Sequence, residues 1–449
     1  MHRLALVLGL VGSLSAQEVP SAPELVEQLP GAGRPIDIAV TAARRARLMD
    51  RLGDALIVVP AAAQRDLERD VLQDNDFRQD DYFFYLTGLE SPDAWLVMAA
   101  QREGADAAFL LLPARNPRSE RWTGRRLGPG EDAERLTGIP ALLPAASLDS
   151  LIAALSTRTE GPLWVPLSGT VRVPDPAGWT APRRTVVDVV PVLDSLRLVK
   201  DQAELTRLRR AIAITVEAHK AVMREARSGM YEYQLEAVVE YTFRSLGADR
   251  VGFPSIVGSG PNGTTLHYDV NRRRTEPGDL VVVDIGAEYG QYSADVTRTF
   301  PVDGTFTPRQ QAIYELVLAA QQAAIAAVRP GTTISALNRV AREYIRDRSG
   351  ALCGDRTCDA YFIHGLSHWL GMRVHDVGDY GAPLVPGMVL TIEPGIYLPT
   401  EALGIRIEDD VLVTEDGAEV LSAGAPRTVE AIESLMRERS RADAPARRL

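Results

Sequence analysis

Residues 280–300 constrain the fold more than any other stretch. Residues 280–287 and 292–300 are two strand-like segments rich in β-branched and aromatic side chains, and Tyr289-Gly290 between them reads as a two-residue turn. Counting outward from that turn, Glu288 faces Gln291 and Asp284 lies directly opposite Asp295. Cross-strand partners have Cβ atoms about 5 Å apart, so two carboxylates placed there repel each other. The unbroken apolar run Val281, Val282, Val283 suits a strand buried on both faces, out of reach of solvent screening. Such a pair needs either a shared proton, as in an aspartic-protease-like dyad, or a cation.

Residues 364–408 favour the cation. Three of the six histidines of the chain, His364, His368 and His375, lie here. His364 and His368 are four apart, but Gly365 and Gly371 argue for strand or loop rather than helix. In residues 389–393, Leu390 and Ile392 point one way and Thr391 and Glu393 the other. In residues 405–408 two isoleucines alternate with Arg406 and Glu408, which therefore share a polar face. A further histidine, His267, follows the Gly-rich residues 258–263. Carboxylate-rich ligation with one or two imidazoles suits manganese, cobalt, zinc or iron more than a thiolate-loving metal. Two ions about 3.5 to 4 Å apart could activate a bridging water.

The 449 residues are too many for one ordinary core and predict two domains. An apolar share of 45% with 24% charged residues is that of a soluble globular protein. The net charge of -11 repels phosphate backbones and anionic lipid, which argues against nucleic acid as a partner. Residues 1–16 have the charged start, short apolar run and small-residue end of a secretory signal, and residues 17–34 read as linker. The apolar run is too short to span a bilayer, so the expectation is export to a periplasm or the medium without stable membrane insertion. In that oxidising setting Cys353 and Cys358, the only cysteines, are expected to pair as a disulfide closing a short loop.

Residues 35–195 have a mixed α/β pattern, with a helix at 41–52 and apolar runs at 55–59, 94–99 and 107–112. Residues 80–88 are its aromatic centre and read either as a core strand or as a segment facing the active site. From residue 196 the texture changes. A helix at 201–226 places Leu205, Leu208, Ile212 and Val216 on one face, and further helices fit 232–246, 308–328 and 333–348. Strand-like segments between them make residues 196–436 an α+β unit, and the charged residues 437–449 are expected to lack fixed structure.

Phe77-Arg78-Gln79 with residues 81–88, together with residues 364–371, resembles the aminopeptidase P and prolidase family, the latter segment in its bacterial aminopeptidase P form. The resemblance implies a pita-bread metallopeptidase domain at the C-terminal end, preceded by a smaller mixed α/β domain of creatinase/prolidase type. It implies that Asp284, Asp295, His368, Glu393 and Glu408 ligate two divalent ions, usually manganese, with Asp295 and Glu408 bridging them. His267, His364 and His375 would line the substrate site, and Arg406 would orient the substrate or a ligand carboxylate. By the same resemblance, a hydroxide bridging the ions attacks an N-terminal Xaa-Pro bond while Glu393 handles the proton. His364 and His375 would steady the tetrahedral intermediate and the departing nitrogen. The alternatives are a prolidase limited to Xaa-Pro dipeptides and an idle peptide-binding module, against which the five intact ligand positions speak. A homo-oligomer, dimer or tetramer, is also implied.

Overall fold

The computed structural model describes residues 34, 36–64, 77–100, 107–173, 175–179 and 184–442. The expected signal segment and all but the last residue of the expected linker lie outside the described residues.

The N-terminal half is built on a six-stranded sheet, β1 (Leu56–Pro60), β2 (Trp95–Ala99), β3 (Ala107–Leu112), β4 (Ala141–Pro144), β5 (Leu163–Val165) and β6 (Val186–Asp188), in the order β4-β3-β2-β1-β5-β6. Its first three strands coincide with the three apolar runs. Helix α1 (Ile38–Leu52) starts at Asp37, whose side chain accepts from the Ala39 backbone N–H. The aromatic segment is a helix, α2 (Asp81–Thr87), and not the strand expected as one of its readings. The Asp80 carboxylate accepts from the Tyr82 and Phe83 backbone N–H groups, and Gly88 ends the helix with φ 70°. All seven helical residues are buried, so no amphipathic period was there to distinguish helix from strand.

Helix α3 (Val190–Arg197) leads into the C-terminal half, whose helices are α4 (Gln202–Glu225), α5 (Glu232–Ser245), α6 (Pro308–Ala326), α7 (Ile334–Arg348) and α8 (Val429–Ala442). Each of α4 to α7 lies within two residues of its predicted span. Asp201 and Glu204 cap α4 reciprocally, and Leu208, Ile212 and Val216 are buried on its expected face. Helix α8 corrects the expected tail: residues 437–442 continue a helix that buries Ile432, Leu435 and Met436 at the spacing of one helical stripe. Residues 443–449 lie outside the described residues.

The strands of this half form small antiparallel sheets. One holds β7 (Arg250–Val251), β10 (Ala287–Tyr289) and β11 (Tyr292–Ser293), and another β8 (Ile256–Ser259), β9 (Leu280–Ile285) and β12 (Val296–Pro301). A third holds β13 (Val389–Ile392), β16 (Asp409–Val413) and β17 (Ala418–Val420), and β14 (Gly395–Leu398) pairs with β15 (Leu403–Arg406). Two apolar cores support them. The larger joins α5, α6, α7 and α8 to β9 and β13–β16. The other runs from α2 through Val189, Leu193 and Leu196 to Leu208 and Ile212 of α4 and on to Tyr292 and Val296, so that the two halves share apolar packing.

The hairpin register differs from the expected one. The turn falls on Gly290-Gln291, both with positive φ (56° and 68°), as a type I′ turn requires. It is held from outside: Asp249 Oδ2 accepts from the Gly290 N–H at 2.6 Å, and Arg207 Nη1 donates to the Gly290 carbonyl at 3.0 Å. Glu288 therefore pairs with Ser293, and Asp284 with Thr297 rather than with Asp295. The displacement is two residues, which preserves the faces, so Asp284 and Asp295 are diagonal neighbours on one face. Cys353 and Cys358 are joined by a disulfide, with Cα atoms 5.2 Å apart.

Candidate active site

Strand β9 brings Asp284, the end of the 292–295 segment brings Asp295, the loop 361–376 brings three histidines, and β13, β15 and their exits bring Glu393, Arg406 and Glu408. One cavity of about 280 Å³ is lined by His267, Asp284, Asp295, His364, His368, His375, Glu393, Arg406 and Glu408, every residue singled out from the sequence. A second, of about 230 Å³, adjoins it and adds Phe253, Pro254, Ile256, Asp269 and Val374 to His267, Asp284, Asp295 and His375.

At the centre, Asp295, His368 and Glu408 each offer a ligand atom within 4.8 Å of the others. His368 Nε2 lies 3.2 Å from Asp295 Oδ2, 3.6 Å from Glu393 Oε1 and 3.9 Å from Glu408 Oε1. His368 is fixed in place by its backbone: its N–H donates to Thr391 Oγ1, and Thr391 N–H donates to the His368 carbonyl. Glu408 Oε2 accepts from Thr297 Oγ1 at 2.7 Å, and Asp284 Oδ2 accepts from Arg406 Nη2 at 2.7 Å.

The electrostatics call for a cation. Burial and the nearby carboxylates of Asp284, Asp410 and Glu393 push Asp295 well above the usual range. Burial and the charges of Asp295, Glu393 and Asp284 do the same to Glu408, and burial takes Glu393 to about 7. Asp284 Oδ1 and Asp295 Oδ1 are buried without any hydrogen-bond partner. Carboxylate oxygens left unpaired, beside one imidazole and one arginine already committed to Asp284, make a donor set for hard or borderline divalent ions. The residues present fit a metal centre.

Around it, burial and the Arg406 guanidinium hold His364 neutral, with its pKa down to about 4. His364 Nε2 meets the Tyr397 hydroxyl at 2.8 Å, and its Nδ1 lies 3.7 Å from Glu393 Oε2. Arg406 also donates to Tyr397 Oη (2.9 Å), Thr297 Oγ1 (3.1 Å) and the Leu266 carbonyl (3.3 Å). Tyr397 and Thr297 were missed from the sequence. Their signal was there: Thr297 follows Asp295 by two on one strand face, and Tyr397 alternates with two apolar neighbours on β14. His267 and His375 are exposed at the mouth.

Comparisons with known proteins point to one family. The description "Metallopeptidase family M24" matches residues 206–415, and "Aminopeptidase P, N-terminal domain" matches residues 41–164. The chain is 37% identical over 429 residues to an Xaa-Pro aminopeptidase of Escherichia coli (strain K12), covering 88% of this chain and 96% of that one. It superposes on the structure of a putative aminopeptidase P from Bacillus anthracis with a TM-score of 0.83 at 32% identity, covering 90% of this chain and 99% of that one. A zinc-substituted aminopeptidase P of Escherichia coli in complex with product gives a TM-score of 0.81 at 34% identity over 90% of this chain and 99% of that one. With its two-domain aminopeptidase P fold and its divalent metal-binding site, the chain belongs to the aminopeptidase P proteins of metallopeptidase family M24.

Proposed function

We propose that the chain is a dinuclear-metal Xaa-Pro aminopeptidase, removing one residue from peptides whose second residue is proline. The observation that carries this is the convergence of Asp284, Asp295, His368, Glu393 and Glu408 on one cavity, in a chain so similar to an Xaa-Pro aminopeptidase. These five would hold two divalent ions. Manganese suits the oxygen-rich set best, with cobalt, zinc or iron also compatible. When bound, such ions polarise a carbonyl and make water a competent nucleophile near neutral pH.

The remaining work falls to the side chains. Glu393 takes a proton from water and passes it to the departing proline nitrogen. The C–N bond breaks, the hydroxyl ends on the carbonyl carbon and the proton on the nitrogen. Neutral His364, held on Tyr397 and near Glu393, steadies that nitrogen, and His375 and His267 at the mouth steady the tetrahedral oxygen and the peptide. Arg406 locks the Asp284 carboxylate in orientation while keeping its charge at the cavity wall.

Other features support a wider reading. Every strand of the six-stranded sheet precedes residue 189, and the small sheets all follow residue 249, consistent with an N-terminal unit of residues 35–195 and a catalytic unit of 196–436. The signal-like residues 1–16 and the disulfide favour export to a periplasm or the medium. Among the described residues no helix is long and apolar enough to cross a membrane. The kinship favours a homo-oligomer, dimer or tetramer. Metal-stripped protein should release alanine from Ala-Pro-Ala only after manganese is added. Turnover of Ala-Pro alone would make it a prolidase, and silence on both would leave a peptide-binding module.

A further inference from the structure

His375 stands at the mouth of the site without a hydrogen bond of its own. It is exposed, and its ring makes no hydrogen bond among the described residues, its fixed neighbour being the His368 ring with centroids 4.2 Å apart. Its position is therefore set by the backbone on either side. Upstream, Arg78 Nη2 donates to the Met372 carbonyl at 2.6 Å and Arg373 Nε donates to Asp81 Oδ2 at 2.7 Å. Downstream, Arg197 Nη2 donates to Asp376 Oδ1 at 2.6 Å, and the Asp376 N–H donates to the Trp369 carbonyl at 2.9 Å.

Asp81 is the hub. Its Oδ1 accepts from Arg78 Nη1 at 2.7 Å, and Arg197 Nη2 lies 3.6 Å from its Oδ2. Arg78 also reaches across to Glu288 on β10 through Nε at 2.7 Å, seven residues before Asp295. Asp81 starts helix α2, so an element of the N-terminal half grips the loop that presents His375. A purely structural role explains the Arg373 contact poorly. The Arg373 side chain is 40% exposed, and the buried Asp81 carboxylate is already paired with Arg78 at 2.7 Å, so this one outer contact adds little to folding. Its place, two residues before His375, gives it leverage on the imidazole instead.

We propose that Asp81 and Arg373 are positioning residues for His375, tying helix α2 to residues 371–376 and holding the imidazole in the cavity beside His368. The consequence for turnover rests on the peptidase reading above; the consequence for the ring position does not. In metal-loaded protein, Arg373→Ala should lower kcat on Ala-Pro-Ala about 10-fold, within the range for outer partners of a site, while KM stays within about twofold. Metal stoichiometry and thermal midpoint should stay at wild-type values. The double variant with His375→Ala should be no slower than His375→Ala alone.

Imidazole NMR supplies a readout free of activity. The His375 signal is identified among the six histidines by its loss in His375→Ala, and it should move in Arg373→Ala while the others stay. Additive losses in the double variant, or an unmoved His375 signal, would overturn the proposal. Asp81→Asn should repeat both results; should that buried substitution prevent folding, the Arg373 variants decide alone. A wild-type protein that cleaves neither peptide would remove the peptidase reading and leave the NMR test standing.

Discussion

Tyr397→Phe removes a single oxygen from the middle of the site. That hydroxyl accepts from Arg406 Nη1 at 2.9 Å and meets His364 Nε2 at 2.8 Å, on a side chain only 2% exposed. Phenylalanine fills the same space, so the change tests hydrogen bonding and leaves packing nearly intact. A hydrogen bond to a charged partner is worth about 1.5 to 3 kcal/mol and a neutral one about 0.5 to 1.5. Arg406 keeps Asp284, Thr297 Oγ1 and the Leu266 carbonyl, so the low ends apply, and the expected loss is about 2 kcal/mol. Urea unfolding in the presence of chelator measures it. Freed from Tyr397, His364 keeps only its Nδ1 contact to the Gly365 carbonyl and loses its fixed orientation beside Glu393, and kcat/KM should fall about 10- to 100-fold with bound metal unchanged. A variant as stable and as active as the wild type would refute the claim that this hydroxyl organises the site.

Asp295→Asn should abolish both bound metal and turnover while leaving the circular-dichroism spectrum in place, and wild-type metal stoichiometry would contradict the ligand assignment. Glu393, whose folded-state pKa burial raises from 4.5 to about 7, binds its proton more tightly folded than unfolded. Metal-free stability should therefore fall as pH rises from about 4.5 to 7, and manganese should raise the urea midpoint more at pH 8 than at pH 5, equal increments refuting it. Burial and Arg298 lower His219 from 6.5 to about 3 beneath β12, where its Nε2 meets the Val296 carbonyl. The folded state then binds fewer protons than the unfolded one, so stability is lost as pH falls from about 6.5 toward 3, up to about 5 kcal/mol in all. His219→Gln should flatten that slope between pH 6 and 4, and a slope equal to wild type would exclude His219 as its source.

Much of the site was legible because it depends on parity rather than on register. The turn was misplaced, at Tyr289-Gly290 instead of Gly290-Gln291, because the contacts that select it come from Asp249 and Arg207, remote in sequence. Yet an error of two residues returns every side chain to its own face, so Asp284 and Asp295 still share one. A one-residue bulge would have separated them. Glu393, Arg406 and Glu408 were legible for the same reason, each alternating with buried apolar neighbours. Helices α4, α5 and α7 were legible from amphipathic stripes, whereas α6 carries apolar residues on nearly every face and only Thr307-Pro308 marks its start.

Periodicity carried no information where all faces are buried or where partners lie far apart. Helix α2 has no exposed side to mark its period, and only the Asp80 cap and the left-handed Gly88 betray it. Helix α8 shows the converse, since its apolar stripe ends at Met436 and residues 437–441 are all charged or polar. The ties between halves are harder still, since Arg78 and Glu288 are separated by 210 positions and Asp81 and Arg373 by 292. Individually, each reads as one of many charged residues. The carboxylates that hold these arginines, Asp81 and Glu288, are buried, and a charge taken out of water holds its place only while its partners do. The N-terminal half is thus coupled to the loop of His375 by groups whose removal exposes the mate, which gives the two halves a shared stake in one geometry of the site.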